Sequence, residues 1–388
     1  MRFSLFTTCS LIGLSLITPV QAAMQIDEAG TFFVYGDGRL RFEKDWDSYK
    51  TDGSKRSDRS RLRIRARLGV IWRPIEFLEF NVRARTGADD NQQSGHITIA
   101  DFNGNDRGAS DVNLDKWFTQ VNWKSLSIWG GRNNIPWWKQ DELFWDDDVT
   151  PRGAGLSYNT DLLGGKLTYN AGVYDMPAGL QNYTGDAWSS QLVYDRDAGD
   201  IGYTLSAGLV RIEADAEEGD YASRTLLQGN AFRDYKVWQA SVQLRPNWFP
   251  KKFLIGANYM HNAEDYSADD PDPFTAFNKD NTDGYVVQAV YGSTKERGDW
   301  LVGAYYSYIE LLAIHNSYAQ DDWVRWGSSN QTTSSNFKGS EFRFGMGLGW
   351  NANIIARLFL VRAIDKELPT DERRQTGKRF RVDLNWKF

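Results

Sequence analysis

The chain has one cysteine, Cys9, in 388 residues. That excludes a disulfide framework and a thiolate metal site. Its three histidines, His96, His261 and His315, leave little material for imidazole acid–base or nucleophilic chemistry. Long hydrophobic runs are also missing. Beyond residue 22 no segment approaches eighteen consecutive apolar residues, so helical membrane spans are excluded. The net charge of −6 offers nothing for nucleic acid to bind.

Residues 1–22 read as a secretory signal peptide. Arg2 supplies the charged region, Leu11 to Val20 a short apolar stretch, and Val20, Gln21 and Ala22 a small-residue cleavage site. Cys9 precedes the apolar stretch, is poorly placed for lipid attachment, and leaves with the peptide. Loss of Arg2 takes 45 basic residues to 44 against 51 acidic ones, or −7. Residues 23–388 are then expected to form one barrel domain.

What is abundant is alternation. Phe380, Val382, Leu384, Trp386 and Phe388 share one face of a terminal strand, and Arg379, Arg381, Asp383, Asn385 and Lys387 share the other. Ending such a strand on an aromatic residue suits a closed transmembrane β-barrel, with lipid outside and water inside. Aromatics make up 14% of the chain, with 16 Trp and 18 Tyr, enough for two interfacial girdles.

The spacing predicts sixteen antiparallel strands, near 33–45, 60–72, 77–86, 114–123, 126–132, 154–158, 167–174, 187–194, 203–212, 235–245, 253–261, 284–292, 300–309, 339–350, 354–363 and 377–388. Short periplasmic turns such as Asn351 to Asn353 alternate with long external loops such as 213–234, 263–283 and 310–338, which read as polar. Even-numbered strands should end at the periplasmic interface, where a girdle of Trp72, Trp123, Tyr158, Tyr194, Trp248, Tyr291, Trp350 and Phe388 is expected.

The second strand places Arg61, Arg63, Arg65 and Arg67 on one face. Facing lipid, each would cost roughly 2–4 kcal/mol near the midplane, so they must face the lumen. Arg39, Arg41, Arg83, Arg85, Arg379 and Arg381 extend this set across four adjacent strands into a wall of ten pore-lining arginines. Neighbours about 7 Å apart repel by about 0.6 kcal/mol in water. Glu43, Asp45, Glu79 and Asp383 offer the alternative of a structural ion-pair lattice, which is compatible with conduction.

The third external loop, 133–152, joins apolar anchors (Trp137, Trp138, Phe144 and Trp145) to acids (Asp141, Glu142, Asp146, Asp147 and Asp148). It is expected to fold inward, face the arginines and narrow the lumen. A surface cation site or a subunit contact would use the same residues.

Signal peptide, strand count, folded third loop and terminal Phe resemble bacterial outer-membrane porins. The segments from Gly38 to Glu43, Arg59 to Arg65 and Glu142 to Asp148 resemble above all the "putative porin" family of proteobacteria. The resemblance implies a non-enzymatic, cofactor-free and metal-free channel in the outer membrane of a Gram-negative bacterium, passing small hydrophilic solutes by passive diffusion. It also implies a homotrimer, contact with outer-membrane lipid and lipopolysaccharide, and insertion by barrel-assembly machinery that reads Phe388. By the same analogy, Arg61, Arg63, Arg65 and Arg67 would oppose the loop acids as the transverse charge pair of the constriction. The arginine wall would then favour small anions or zwitterions.

Three other readings compete. Alginate-export-type barrels also have basic lumens, for an anionic polymer, but their added strands and long occluding loops are not evident in the sequence. A hydrolase would need one of the histidines as base, and His315 is expected to be incidental in a loop. A structural barrel or adhesin would conduct nothing. Gly130, Gly131, Ala171 and Val173 mark a smooth outer face for subunit contact near strands 5 to 7.

Overall fold

The computed structural model describes residues 23–89, 91–104, 110–177, 183–214, 233–270, 273–323 and 334–388. The expected signal peptide, with Cys9, lies outside the described residues. Sixteen long strands form one antiparallel sheet: β1 (Phe32–Tyr49), β2 (Arg59–Ile75), β3 (Leu78–Thr86), β4 (Val112–Trp123), β5 (Leu126–Arg132), β6 (Arg152–Leu162), β7 (Gly165–Pro177) and β8 (Tyr183–Ala198). They continue as β9 (Ile201–Glu213), β10 (Tyr235–Pro246), β11 (Phe253–Asn262), β12 (Asp283–Gly292), β13 (Trp300–Ile309), β14 (Phe337–Gly349), β15 (Ala352–Ala363) and β16 (Thr376–Lys387).

Each strand pairs with its sequence neighbours, and β16 pairs back onto β1 from Thr376 opposite Tyr49 to Lys387 opposite Asp37. The sheet closes into a barrel, which satisfies the backbone inside lipid. A short strand, Ile97–Asp101, pairs with the upper part of β2 between Arg61 and Ile64, beyond the stretch from Arg67 to Ile75 that β3 covers. Helix α1 (Pro273–Asn278) sits in the sixth external loop.

The sixteen expected strands are all present. The sixth is longer than the expected 154–158, and one turn is displaced. Trp350 and Asn351 form it, with φ of 51° and 55°, so Ala352 and Asn353 belong to β15. Two-residue hairpins favour two left-handed residues because that twist matches the flanking strands. The end bearing these short turns and both chain ends is periplasmic.

Alternation sets the faces. On β2, Leu68, Val70 and Trp72 are exposed toward lipid while Arg61 and Arg65 are buried inside. Trp72, Trp123, Tyr158, Tyr194 and Tyr291 lie on the outward faces of their strands, Trp248 and Trp350 in periplasmic turns, and Phe388 at the chain end. Gly130, Ala171 and Val173 also face outward. Gly131, the next residue along the strand, does not; its φ is 127°, and a Cβ there would fall 2.3 Å from the Trp117 carbonyl.

At the closure seam, Phe388 and Gly36 exchange backbone hydrogen bonds of 3.0 Å in both directions. Trp386 lies flat over Gly38, where a Cβ would fall 2.1 Å from an indole carbon. Gly38→Ala must therefore displace Trp386. We expect it to destabilise the barrel by about 1–3 kcal/mol, seen as a lower midpoint in heat-modifiable gel mobility or urea unfolding.

Candidate functional site: the luminal arginine wall

All ten arginines of the wall point inward, and closure of β16 onto β1 makes their strands neighbours. Seven of them meet carboxylates. The strands supply most of these: Glu43 accepts from Arg61 (2.5 Å) and Arg381 (2.6 Å), Asp45 from Arg379 (2.5 Å), and Asp383 from Arg41 (2.7 Å). Asp115 accepts from Arg83 (2.5 Å), and Asp37 from Arg65 (3.0 Å) and Arg67 (2.7 Å). Glu79 departs from the expected lattice: it pairs with Arg73 (2.9 Å), nearer the periplasmic end. Arg85 donates to the carbonyls of Asn91 and Gln92. Arg39 and Arg63 stand apart. Arg39 donates to neutral Asn385 (2.7 Å), and Arg63 to Ser94 Oγ and the His96 carbonyl (3.4 Å each).

The third loop enters the lumen and crosses it. On the far wall, Trp137 Nε1 donates to Gln239 (2.8 Å), the Trp138 backbone bonds Gln191, and Gln140 reaches Asn258 (2.6 Å) and Gln288 (3.0 Å). Gly208 makes room, since a Cβ there would meet Trp137 at 2.4 Å. The loop then returns to the arginine wall through Asp148, which bridges Arg65 (2.9 Å) and Arg67 (2.7 Å).

The five loop acids do not act as one set, and Asp148 alone pairs with the wall. Asp147 pairs with Lys139 (2.7 Å), Asp141 accepts from Asn258 on the far wall, Glu142 accepts from Gln320 (2.9 Å), and Asp146 caps the backbone of Asp148 (2.7 Å). The expectation that all five face the arginines is corrected, because a loop spanning the lumen must spend its polar groups on both walls.

The seventh loop reads as long and polar in sequence; its first described part, 310–323, is instead largely buried within the barrel. Leu311 to Ala319 are at most 5% exposed. Trp145 stacks on Tyr318 with ring centres 5.3 Å apart, the Asp146 N–H donates to the Tyr318 carbonyl (2.7 Å), and the Gln320 N–H donates to the Glu142 carbonyl (2.9 Å). Asp322 then reaches the wall, bonding Arg41 (3.3 Å), Arg357 (3.3 Å) and Arg381. Long occluding loops are therefore present after all, on sixteen strands. The cue was the apolar run Leu311 to Ile314, the same kind of anchor that marked the third loop.

Two cavities lie between the described parts of these loops and the walls. One, of about 360 Å³, lies among Arg39, Arg65, Arg67, Asp141, Glu142 and Arg343; the other, of about 340 Å³, lies beside Lys116, Trp138 and Lys139. Lys387, at the periplasmic end of β16, borders both. Burial opposes ionisation of Asp148 and Asp322, but the surrounding arginines outweigh it and hold both carboxyls below their ordinary range. Across the first cavity the balance reverses. Burial pushes Asp141 up to about 6, and burial with the neighbouring Asp147 pushes Glu142 up to about 8.

The histidines lie apart. His96 sits beside Ser94 (3.2 Å) in the lumen, His261 pairs with Asp283 (3.0 Å) on the outer face, and His315 stacks on Tyr318 and lies tilted against Tyr235.

Comparison with known proteins agrees with this architecture. Residues 41–193 match the family described as "Putative porin". Among solved structures, Pseudomonas putida OprB at high pH aligns with a TM-score of 0.54 at 10% identity, over 92% of this chain and 94% of that one. Salmonella typhi OmpF, in complex with daunomycin, aligns with a TM-score of 0.54 at 12% identity, over 94% of this chain and all of the other. At such identity the likeness concerns the fold. No curated protein matches the sequence. Residues 41–193 thus match that family, and the closed sixteen-strand barrel has the fold of outer-membrane porins.

Proposed function

We propose that the chain passes small hydrophilic solutes by passive diffusion and favours anions. The observation that carries this reading is Arg39. It borders the larger cavity and, among the described residues, has no carboxylate within ion-pair distance, while of the acids lining that cavity Asp141 and Glu142 are pushed toward their neutral forms and Asp148 and Asp322 are paired with arginines. A passing anion therefore meets an uncompensated guanidinium on one side and weak repulsion on the other. A cavity of about 360 Å³ is on the scale of a small-solute site rather than of a polymer chain of the alginate-export kind. Asp148 and Asp322 act in this reading as built-in counter-ions that hold the third and seventh loops against the wall. Contact with lipopolysaccharide, insertion by barrel-assembly machinery and removal of residues 1–22 are part of the same proposal. So is a homotrimer joined near β5 to β7.

In a planar bilayer under a salt gradient, the reversal potential should report anion preference; a cation-selective potential overturns it. Arg39→Ala should move that potential toward cations.

Lowering the pH from 9 to 5 should strengthen anion preference. The change should fall in the window around 6 to 8, because Glu142 and then Asp141 lose their negative charge as pH falls through those values.

Asp322→Ala leaves Arg41, Arg357 and Arg381 without this partner. Breaking such a buried set costs about 3–5 kcal/mol, so the seventh loop should loosen. Faster proteolysis within 310–323 and a larger single-channel conductance are the expected readouts.

A further inference from the structure

The second cavity, of about 340 Å³, lies between the first half of the third loop and the inner faces of β4 to β7. That volume is at the lower end for small-molecule sites. Six charged groups line it, five cations and Asp147, and Asp147 is itself paired with Lys139 (2.7 Å). Arg67 and Arg83 are likewise paired, with Asp37 (2.7 Å) and Asp115 (2.5 Å). Lys116 differs. Among the described residues it has no carboxylate within ion-pair distance, and its ammonium donates to the neutral Oδ1 of Asn134. Asn134 is held in that orientation by its Nδ2, which donates to the Asp147 carbonyl (2.7 Å).

A regular strand would point Asp115 and Lys116 to opposite faces. β4 carries a bulge at this point: Arg83 is opposite Lys116 and Ala84 opposite Leu114, which leaves Asp115 as an extra residue. Leu114 and Trp117 on either side face lipid, while Asp115 turns inward to Arg83 and Lys116 turns inward to the loop. Bulges re-aim side chains in this way. The result is a luminal ammonium without an anion.

The third loop supplies an aromatic wall beside it. Of the four tryptophans bordering the cavity, three are engaged in packing: Trp129 on Tyr174 (6.3 Å between ring centres), Trp137 on Phe144 (5.7 Å) and Trp145 on Tyr318 (5.3 Å). Trp138 is half-buried, and Gln191 fixes its backbone N–H and carbonyl (2.8 Å each). Its indole has neither a ring neighbour nor a hydrogen-bond acceptor among the described residues.

We propose that this cavity binds a single-ring aromatic monocarboxylate, with the carboxylate on the Lys116 ammonium and the ring against the Trp138 indole. The carboxylate is the anion that Lys116 lacks, held by a charge-assisted hydrogen bond. The ring covers an indole face that is otherwise wet. A neutral solute would leave the ammonium unmatched, and a short aliphatic acid would leave the indole uncovered. The site excludes Arg39 and rests on the proposed diffusion of small solutes only for its route of entry.

The test is calorimetric titration of the folded barrel in mild non-ionic detergent with benzoate, acetate and benzyl alcohol. Binding in detergent does not require conduction, so its failure is separable from failure of the diffusion reading, which a bilayer without conductance would show. Wild type should bind benzoate, and acetate about threefold to tenfold more weakly. Lys116→Met should weaken both acids by about tenfold or more, and Lys116→Arg should keep most of the affinity. Trp138→Leu should remove the preference for benzoate while leaving acetate binding in place, a split that general loosening of the loop would not produce. Trp138→Phe should retain the preference. Wild type that fails to bind benzoate, or binds benzyl alcohol as tightly, overturns the proposal. So does wild-type benzoate affinity in Lys116→Met, or an unchanged preference in Trp138→Leu.

Discussion

The arrangement of this barrel depends on the need to match buried guanidinium groups with anions. A guanidinium taken out of water without a partner costs several kcal/mol, and ten of them stand on four adjacent strands. The strand acids Asp37, Glu43, Asp45, Asp115 and Asp383 answer part of that demand in place. Asp148 and Asp322 answer more of it from loops that enter the lumen. The two loops are thus positioned by the wall's charge as well as by their own apolar anchors.

The opposite wall works differently. Gln191, Gln239, Asn258 and Gln288 bond the third loop through carboxamides. These hold backbone and side chains without adding net charge. The lumen is therefore asymmetric: ionic on the side of β1 to β4 and β14 to β16, neutral and polar where the third loop meets β8 to β12, with Arg245, Asp195 and Asp197 paired among themselves further along that wall. The larger cavity lies where the two meet, with Arg39 on one side and carboxyls that burial pushes toward neutrality on the other.

Much of the fold was legible because its rules are local. Alternation in Arg61 to Trp72 fixes which face is wet whatever the partner strand, and the apolar anchors Trp137, Trp138, Phe144 and Trp145 mark a loop that cannot stay in solvent. The inward seventh loop was missed because the polar residues around Leu311 to Ile314 masked the same cue. The split among the loop acids was also hidden. Asp141 and Asp148 are seven residues apart, yet they bond opposite walls, and nothing in their local sequence distinguishes them.

By itself, then, the sequence determined a closed sixteen-strand barrel, its lipid-facing and luminal surfaces, and an arginine-rich wall, since each follows from residue type and a spacing of two. Only the tertiary structure decided which of those arginines keep an uncompensated charge. Neutralisation depends on partners brought together by barrel closure and loop entry: Arg41 meets Asp383 from 342 residues away and Asp322 from 281. Arg39, one alternate position along the same strand, meets only an asparagine. Those separations carry no local signature, and ion pairing falls off within a few ångströms in water.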